Sequence, residues 1–174
     1  MTAAPRLEQP QPLPPVAEGS LKSSVITVAA GTLAMATVII GVWEGRSNEP
    51  YRDIVGIWTV CDGQTNVAMR RYTDAECDAM LAKSIQVEYA PAVYKCVPAL
   101  RERKYEGAAA ISLTYNIGSG AFCRSTVARR FNNGDWRGGC NAFSSWVYAG
   151  GRKINGLVNR RKAEVSLCLK GTMA

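Results

Sequence analysis

The most apolar part of the chain is a single run, Ser23–Trp43, that holds no charged residue over 21 positions. A run of this length can cross a bilayer as a helix. Eleven of its residues are Ala, Gly, Ser or Thr, which favour membrane insertion far less than Leu or Ile does. Small residues also let a helix pack closely against protein. The pattern therefore predicts a helix that suits either environment, with membrane insertion only weakly favoured.

This run separates two parts of different character. Residues 1–22 contain five prolines and little apolar content, which predicts a disordered, partly extended tail. Residues 44–174 match the commonest size of a single domain. A cleaved signal peptide is an alternative to a membrane anchor, since Ala34-Met35-Ala36 offers a cleavage site, but the Pro-rich lead is a poor signal-peptide start. A buried helix without a membrane role is less favoured, because such helices usually carry a polar stripe.

Beyond the run, the pattern predicts two short strands within residues 43–65, where Asp62-Gly63 favours a tight hairpin turn. Thr73 and Glu76 then form the sequence signature of a capping box at a helix start. Pro91 and Pro98 are expected to break the next region. Further helices are predicted over 106–115, 125–132, 135–148 and 157–169. The predicted fold class is α+β, with a small hairpin lobe before a larger helical lobe.

The chain contains no histidine. This excludes Ser-His-Asp and Cys-His nucleophiles and histidine-ligated metals, and leaves acid–base chemistry to carboxylates, Lys, Tyr or Cys. The six cysteines are widely spaced in residues 44–174 and form no C-x-x-C pair. Zinc or thioredoxin-like sites are therefore not expected, whereas an even set of disulfides in an oxidising compartment is.

The net charge of +7 arises within residues 44–174, because Arg6, Lys22, Glu8 and Glu18 cancel in the preceding part. A basic surface attracts polyanions such as nucleic acid, anionic lipid or an acidic envelope polymer. It is also an ordinary solubilising surface. Charge alone leaves these alternatives open.

Two carboxylates, Glu44 and Asp53, are separated by eight residues, one at the end of the apolar run and one in the region of the first strands. Glycosidic hydrolysis needs such a pair, because one carboxyl group protonates the leaving oxygen and the other activates water or stabilises the oxocarbenium-like transition state. Taken alone, the pair is more often two solvated carboxylates. The residues around it carry more information.

The segment from Glu44 follows the pattern E-G-x5-Y-x-D-x2-G-x-W-T-x-C-x-G-x-T, which closely resembles the phage lysozymes of glycoside hydrolase family 24. The resemblance continues through L-T-Y-N-I-G at 113–118, W-x2-A-G-G at 146–151 and G-L-x2-R-R-x2-E-x2-L-C at 156–168. These ordered motifs cover essentially all of residues 44–174. The weakly hydrophobic N-terminal segment is similar to that of signal-anchor-release (SAR) endolysins. The resemblance implies a lysozyme-like fold and a muramidase that cleaves between N-acetylmuramic acid and N-acetylglucosamine.

Carried over residue by residue, the resemblance makes Glu44 the general acid. Asp53 and Thr59 would position and activate the attacking water, which gives inversion, although retention with Asp53 as nucleophile stays open because sequence does not give the carboxylate separation. Asn116 would help to bind the sugar chain, and Arg160 would pair with Glu44. No cofactor or metal is expected.

The three predicted disulfides are Cys61–Cys77, Cys96–Cys123 and Cys140–Cys168, among the fifteen pairings that six cysteines allow. The resemblance further implies residues 1–22 in the host cytoplasm, residues 23–43 in the inner membrane, and a catalytic domain at 44–174 in the periplasm, released later as a monomer. Peptidoglycan would be the partner, and nucleic acid would not. The alternatives are an exported peptidoglycan-binding module without turnover and a membrane-anchored nucleic-acid binder.

Overall fold

A computed structural model of the chain describes residues 23–53 and 56–173, with side chains from residue 30 onward. The predicted tail at 1–22 lies outside the described residues. The helices are α1 Ser23–Trp43, α2 Asp74–Ser84, α3 Ala90–Cys96, α4 Lys104–Ile117, α5 Ser119–Cys123, α6 Thr126–Asn132, α7 Trp136–Ala142 and α8 Asn155–Lys170. The strands are β1 Ser47–Arg52, β2 Trp58–Cys61, β3 Tyr148–Ala149 and β4 Arg152–Lys153. A small hairpin therefore precedes a mostly helical body, as predicted.

The apolar run forms the helix α1, which packs along α4. Ala36 and Ile40 are fully buried in this contact, whereas Val38 and Val42 on the other face are exposed. The side chain of Thr32 packs against the backbone of α4, because a Cβ atom on Gly107 would lie 3.1 Å from Cγ2 of Thr32. The small residues of α1 thus allow tight packing against protein. Within the described part of the chain, no helix combines the length and apolarity that crossing a membrane requires.

The first hairpin is the antiparallel pair of β1 and β2, in which Tyr51 lies opposite Thr59. Asp62-Gly63 follows β2 and so does not lie between the two strands. Asp62-Gly63 forms a tight turn, closed by two backbone hydrogen bonds between Val60 and Gln64. Gly63 has a φ of 95°, which only glycine adopts readily. The prediction of two strands and of a tight turn at Asp62-Gly63 is confirmed.

The helix α2 begins with the predicted capping box, in which Thr73 and Glu76 bond to each other's backbone N–H. The expected break at Pro91 was wrong. A π-helical turn over Ile85–Tyr89 joins α2 to α3, so the helical path continues through the proline. A π turn widens the helix by one residue, which accommodates the ring and the missing N–H of Pro91. Pro98 starts a 3₁₀ turn over Pro98–Glu102.

The central helix α4 is confirmed at the predicted position and is buried over most of its length. The expected single helix over 135–148 was wrong, because α7 ends at Ala142 and a 3₁₀ turn, Phe143–Ser145, follows. The strands β3 and β4 then form a small hairpin whose turn contains Gly150 and Gly151, both with positive φ. This hairpin delivers the chain to α8, which packs on α4.

Three disulfides join neighbouring elements, in the pairing that the sequence analysis predicted. Cys61–Cys77 links the first hairpin to α2, Cys96–Cys123 links α3 to α5, and Cys140–Cys168 links α7 to α8. Each bond lies between elements that are adjacent in the fold. Such bonds stabilise a fold mainly by restricting the unfolded chain.

A second, ionic link joins the first hairpin to α2 through Arg46. The Arg46 guanidinium donates from Nη2 to Asp62 at 2.8 Å and to Asp78 on α2 at 2.7 Å, and from Nε to Asp62 at 3.2 Å. The Asp62 side chain is only 1% exposed, whereas that of Asp78 is 62% exposed. The hydrogen bonds with Asp62 raise the pKa of Arg46 well above its ordinary value. Arg46 therefore neutralises a buried carboxylate beside the Cys61–Cys77 disulfide.

Replacing Arg46 by Gln should lower the free energy of unfolding by about 2 kcal/mol, because Asp62 would keep a buried charge without its cation. Urea unfolding of the oxidised protein measures this change. Asp78→Asn is the matched control and should cost less than about 1 kcal/mol, since that carboxylate is solvated. Equal stability of wild type and Arg46→Gln would show that Asp62 does not depend on Arg46.

Candidate active site

Glu44 lies directly after the last residue of α1. Its backbone N–H donates to the carbonyl of Ile40 at 2.9 Å, so it continues the last helical turn. Its side chain is 24% exposed, and Oε1 accepts a hydrogen bond from Nη1 of Arg160 at 2.6 Å. The predicted pair of Glu44 and Arg160 is therefore present in the structure. Because α1 is docked on α4, this carboxyl group has a fixed position.

Arg160 of α8 is held by a buried network on α4 and α8. Its Nε donates to Glu164 at 3.2 Å, and its Nη2 donates to the carbonyl of Ser112 at 3.3 Å. Glu164 also accepts from the Ser112 hydroxyl at 2.7 Å. These contacts orient the guanidinium so that Nη1 reaches Glu44. The partly exposed carboxylate is thus backed by a rigid, buried cation.

Burial dominates the electrostatics behind Arg160. It raises the pKa of the Glu164 carboxyl, although Arg161, Ser112 and Arg160 each act in the opposite direction. Burial likewise lowers the pKa of Arg161 to about 10, although Glu164 raises it. Two cations and one carboxylate share this interior, so desolvation is only partly offset.

Asp53 and Thr59 lie at the two sides of the turn in the first hairpin. The N–H of Ile57 donates to Oδ1 of Asp53 at 2.8 Å, and the Thr59 hydroxyl donates to the carbonyl of Ile57 at 3.2 Å. The backbone of Ile57 therefore orients both Asp53 and Thr59 in the first hairpin. Thr59 is 4% exposed, and Asp53 is partly exposed.

Asn116 lies at the C-terminal end of α4 and is exposed. Its side-chain oxygen accepts a hydrogen bond from Nη2 of Arg161 at 3.0 Å. Asn116 is therefore linked to the charged network of α8 through Arg161, the residue that follows Arg160. This contact orients the amide, so that its NH₂ group is the outward donor.

Tyr115 is a residue that the sequence analysis did not single out. Its hydroxyl donates to the backbone carbonyl of Asp62, which connects α4 to the first hairpin. Burial raises its pKa above the ordinary value, and the nearby Glu44 carboxylate acts in the same direction. Its ring packs against Tyr89 with centroids 4.7 Å apart. Its position beside Asn116 in the L-T-Y-N-I-G motif is the sequence feature that could have identified Tyr115 as a site residue.

The sequence analysis also missed the charged residues that support the site, which are Arg46, Asp62, Arg161 and Glu164. Their sequence signals were weak, because charged residues usually lie in solvent. In residues 23–53 and 56–173, no group of three or more Cys, Asp or Glu side chains is arranged to hold a metal ion. The chemistry available here is that of two carboxyl groups on different elements, a hydroxyl group, and a cation paired with one of the carboxylates.

Comparison with known proteins agrees with this arrangement. The family described as phage lysozyme matches residues 41–164, which include Glu44, Asp53, Thr59, Asn116 and Arg160. A SAR-endolysin of Enterobacteria phage P21 is 38% identical over 164 residues, which are 86% of this chain and 95% of that protein. A SAR-endolysin of Escherichia phage Mu is 39% identical over 120 residues, or 68% of this chain and 69% of that protein.

Solved structures show the same fold. The active form of the P1 phage endolysin Lyz has a TM-score of 0.70 at 24% identity, covering 85% of this chain and 93% of that one. The muramidase domain of SpmX from Asticaccaulis excentricus has a TM-score of 0.68 at 26% identity, covering 77% of this chain and 94% of that one. The family match, the extent of the identity and the shared lysozyme-like fold show that this chain belongs to the phage lysozyme family.

Proposed function

We propose that this member of the phage lysozyme family is an endolysin that hydrolyses the β-1,4 bond between N-acetylmuramic acid and N-acetylglucosamine for host lysis, with Glu44 as its general acid. The observation that carries the proposal is the fixed position of Glu44 between α1 and the buried Arg160 network. Family membership and SAR-endolysins of similar length support the activity. A glycosidase needs a carboxyl group held in place beside the scissile oxygen.

Asp53 and Thr59 are the groups we assign to the attacking water. The Thr59 hydroxyl donates to the Ile57 carbonyl, and its oxygen keeps lone pairs that accept a hydrogen bond from water. Asp53 is oriented by the Ile57 N–H, and its carboxylate accepts a proton as the water attacks. Water attack from the face opposite the leaving group gives inversion. A covalent intermediate on Asp53 would instead give retention.

Asn116 is assigned to sugar binding. Its amide oxygen is occupied by Arg161, so its NH₂ group is left to donate to a hydroxyl or acetamido oxygen of the glycan. Arg160 does not take part in bond cleavage in this scheme. It holds Glu44 in the empty site and so fixes where the acid meets the substrate.

We further propose that residues 23–43 first anchor the chain in the host inner membrane, with residues 1–22 cytoplasmic and residues 44–174 periplasmic, and then leave it. The uncharged, small-residue composition supports a marginally stable anchor. The SAR-endolysin names of the relatives support the same order of events. In the membrane, the helix cannot pack on α4, so Glu44 cannot take the position that Arg160 holds. Release lets α1 dock and completes the site of a monomeric enzyme.

The Glu44→Gln variant should lose about 10³-fold in turnover of isolated peptidoglycan, because the amide cannot give a proton to the leaving oxygen. Glu49→Gln is the control, since this carboxylate of β1 is 63% exposed. Mass spectrometry of the products should show muropeptides with free reducing ends. Anhydro-muramic products would indicate a transglycosylase and no water-positioning role for Asp53. Binding without cleavage by wild type would favour a binding module.

Replacing the exposed small residues Ala30, Ala34 and Gly41 by Leu should trap the chain in the membrane and delay lysis, because each Leu favours insertion. Serine at the same three positions is the control and should leave release unimpaired. Membrane and periplasmic fractions, together with lysis time, measure the effect. The purified Leu variant should keep its activity on isolated peptidoglycan, since these positions are exposed when α1 is docked. Undelayed lysis by the Leu variant would contradict the anchor.

A further inference from the structure

A small cavity lies beside α8, where residues of that helix meet the segment 144–153. Its volume is about 210 Å³, and it is lined by Ser144, Val147, Lys153, Val158, Arg161 and Lys162. Three of these six residues are cationic, and none is acidic. The cavity is smaller than the clefts of roughly 300–1,000 Å³ that hold whole small-molecule ligands. It suits a single functional group with a short chain.

Arg161 gives the cavity a buried and incompletely satisfied cation. Its side chain is 1% exposed. Nη2 donates to Asn116 and Glu164, whereas Nη1 is buried and makes no hydrogen bond within the described structure. A guanidinium has five N–H donors, and leaving buried donors unpaired is costly. An acceptor in the cavity would offset that cost.

The charges nearby do not balance. Glu164 is the carboxylate within ion-pair distance of Arg161, at 2.9 Å, but it also pairs with Arg160. Lys153 of β4 and Lys162 of α8 are exposed at the cavity and add two further charges. Burial lowers the pKa of Arg161, because the guanidinium loses its hydration, and the neighbouring Arg160 cation acts in the same direction. An anion is the ligand class that these groups would attract.

We propose that this cavity binds a carboxylate of the stem peptide of peptidoglycan, through Arg161, Lys153 and Lys162. The inference rests on the proposed function, since peptidoglycan is then the polymer at the site. Asn116 provides the connection, because it contacts Arg161 and is also the residue assigned to the glycan. Stem peptides are attached to the muramic acid residues and carry free carboxylates. The cavity would therefore select glycan strands that bear such peptides.

The first test uses small anions and requires no turnover. Acetate and inorganic phosphate are titrated at constant ionic strength, and the arginine Nε–H resonances are followed by NMR. The Arg161 resonance should shift in a saturable manner. In the double variant Lys153→Gln/Lys162→Gln, the affinity should fall by about tenfold, as expected for loss of charge-assisted contacts. Lys95→Gln/Lys170→Gln is the matched control, because it removes two exposed charges elsewhere.

The second test compares a soluble disaccharide-peptide from peptidoglycan with the same compound after its carboxyl groups are converted to amides. Wild type should bind the native compound about tenfold more tightly than the amide form. This ratio should approach one in Lys153→Gln/Lys162→Gln and should persist in Lys95→Gln/Lys170→Gln. Because both compounds are followed by binding, a failure of the proposed hydrolysis would be seen separately, as absence of cleavage of peptidoglycan.

Equal ratios in the two double variants would overturn the proposal, because the preference would then come from the general positive charge. Binding of phosphate or acetate without any preference for the native disaccharide-peptide would also overturn it, since the cavity would then take free anions alone. No saturable shift at Arg161 would show that the buried guanidinium is not a ligand-binding group.

Discussion

The ion pair between Glu44 and Arg160 joins two helices whose paired residues are 116 positions apart in the chain. It forms only if α1 and α8 both pack on α4, which is the buried centre of the helical body. A partly buried ion pair of this kind adds little net stability, because desolvation offsets most of the attraction. Its value lies in orientation. It places one carboxyl group at a defined point beside the first hairpin, and the proposed chemistry depends on that point.

The composition of α1 suits close packing against protein and, in the proposed membrane stage, only weak insertion. In the proposal its Ala, Gly, Ser and Thr residues make it a weak membrane helix, and in the structure the small side chain of Thr32 packs against Gly107 of α4. A Leu-rich helix would insert more firmly and would pack less closely. In the proposed sequence of events, Glu44 therefore reaches Arg160 only when α1 has left the membrane and docked on α4.

Local signals in the sequence predicted the parts of the fold that depend on local chemistry. Thr73 and Glu76 predicted a helix start because a capping box involves four neighbouring residues, and Asp62-Gly63 predicted a tight turn for the same reason. The break expected at Pro91 was wrong, because a π turn accommodates the proline within the helical path. The residues that flank Pro91 give no sequence signal for this turn. The helix expected over 135–148 forms only in its first half and ends at Ala142. In the second half, packing and the β3–β4 hairpin outweigh local propensity.

Motif and chemistry together predicted the candidate residues Glu44, Asp53, Thr59 and Asn116, and the expected pair of Glu44 and Arg160 is present in the structure. The supporting charges were not predicted. Arg161 and Glu164 look like an exposed helix face in the sequence, but both are buried, and Glu164 accepts a hydrogen bond from Ser112, which is 52 residues away. Arg46 and Asp62 likewise form a pair only after the hairpin closes. Such contacts depend on tertiary structure, which periodicity does not encode.

The most direct measurement of the central claim is the turnover of isolated peptidoglycan by Ala36→Phe compared with Ala30→Phe. Ala36 is fully buried in the docked face of α1, whereas Ala30 is exposed on the same helix, so the two substitutions compare the docked face with the exposed face. Displacing α1 by about 1 Å should lower turnover by about 10²-fold in Ala36→Phe and leave Ala30→Phe near wild type. Circular dichroism and intact disulfides would verify that both variants are folded. Wild-type turnover by a folded Ala36→Phe would contradict the account, because the position of Glu44 would then not depend on the docking of α1.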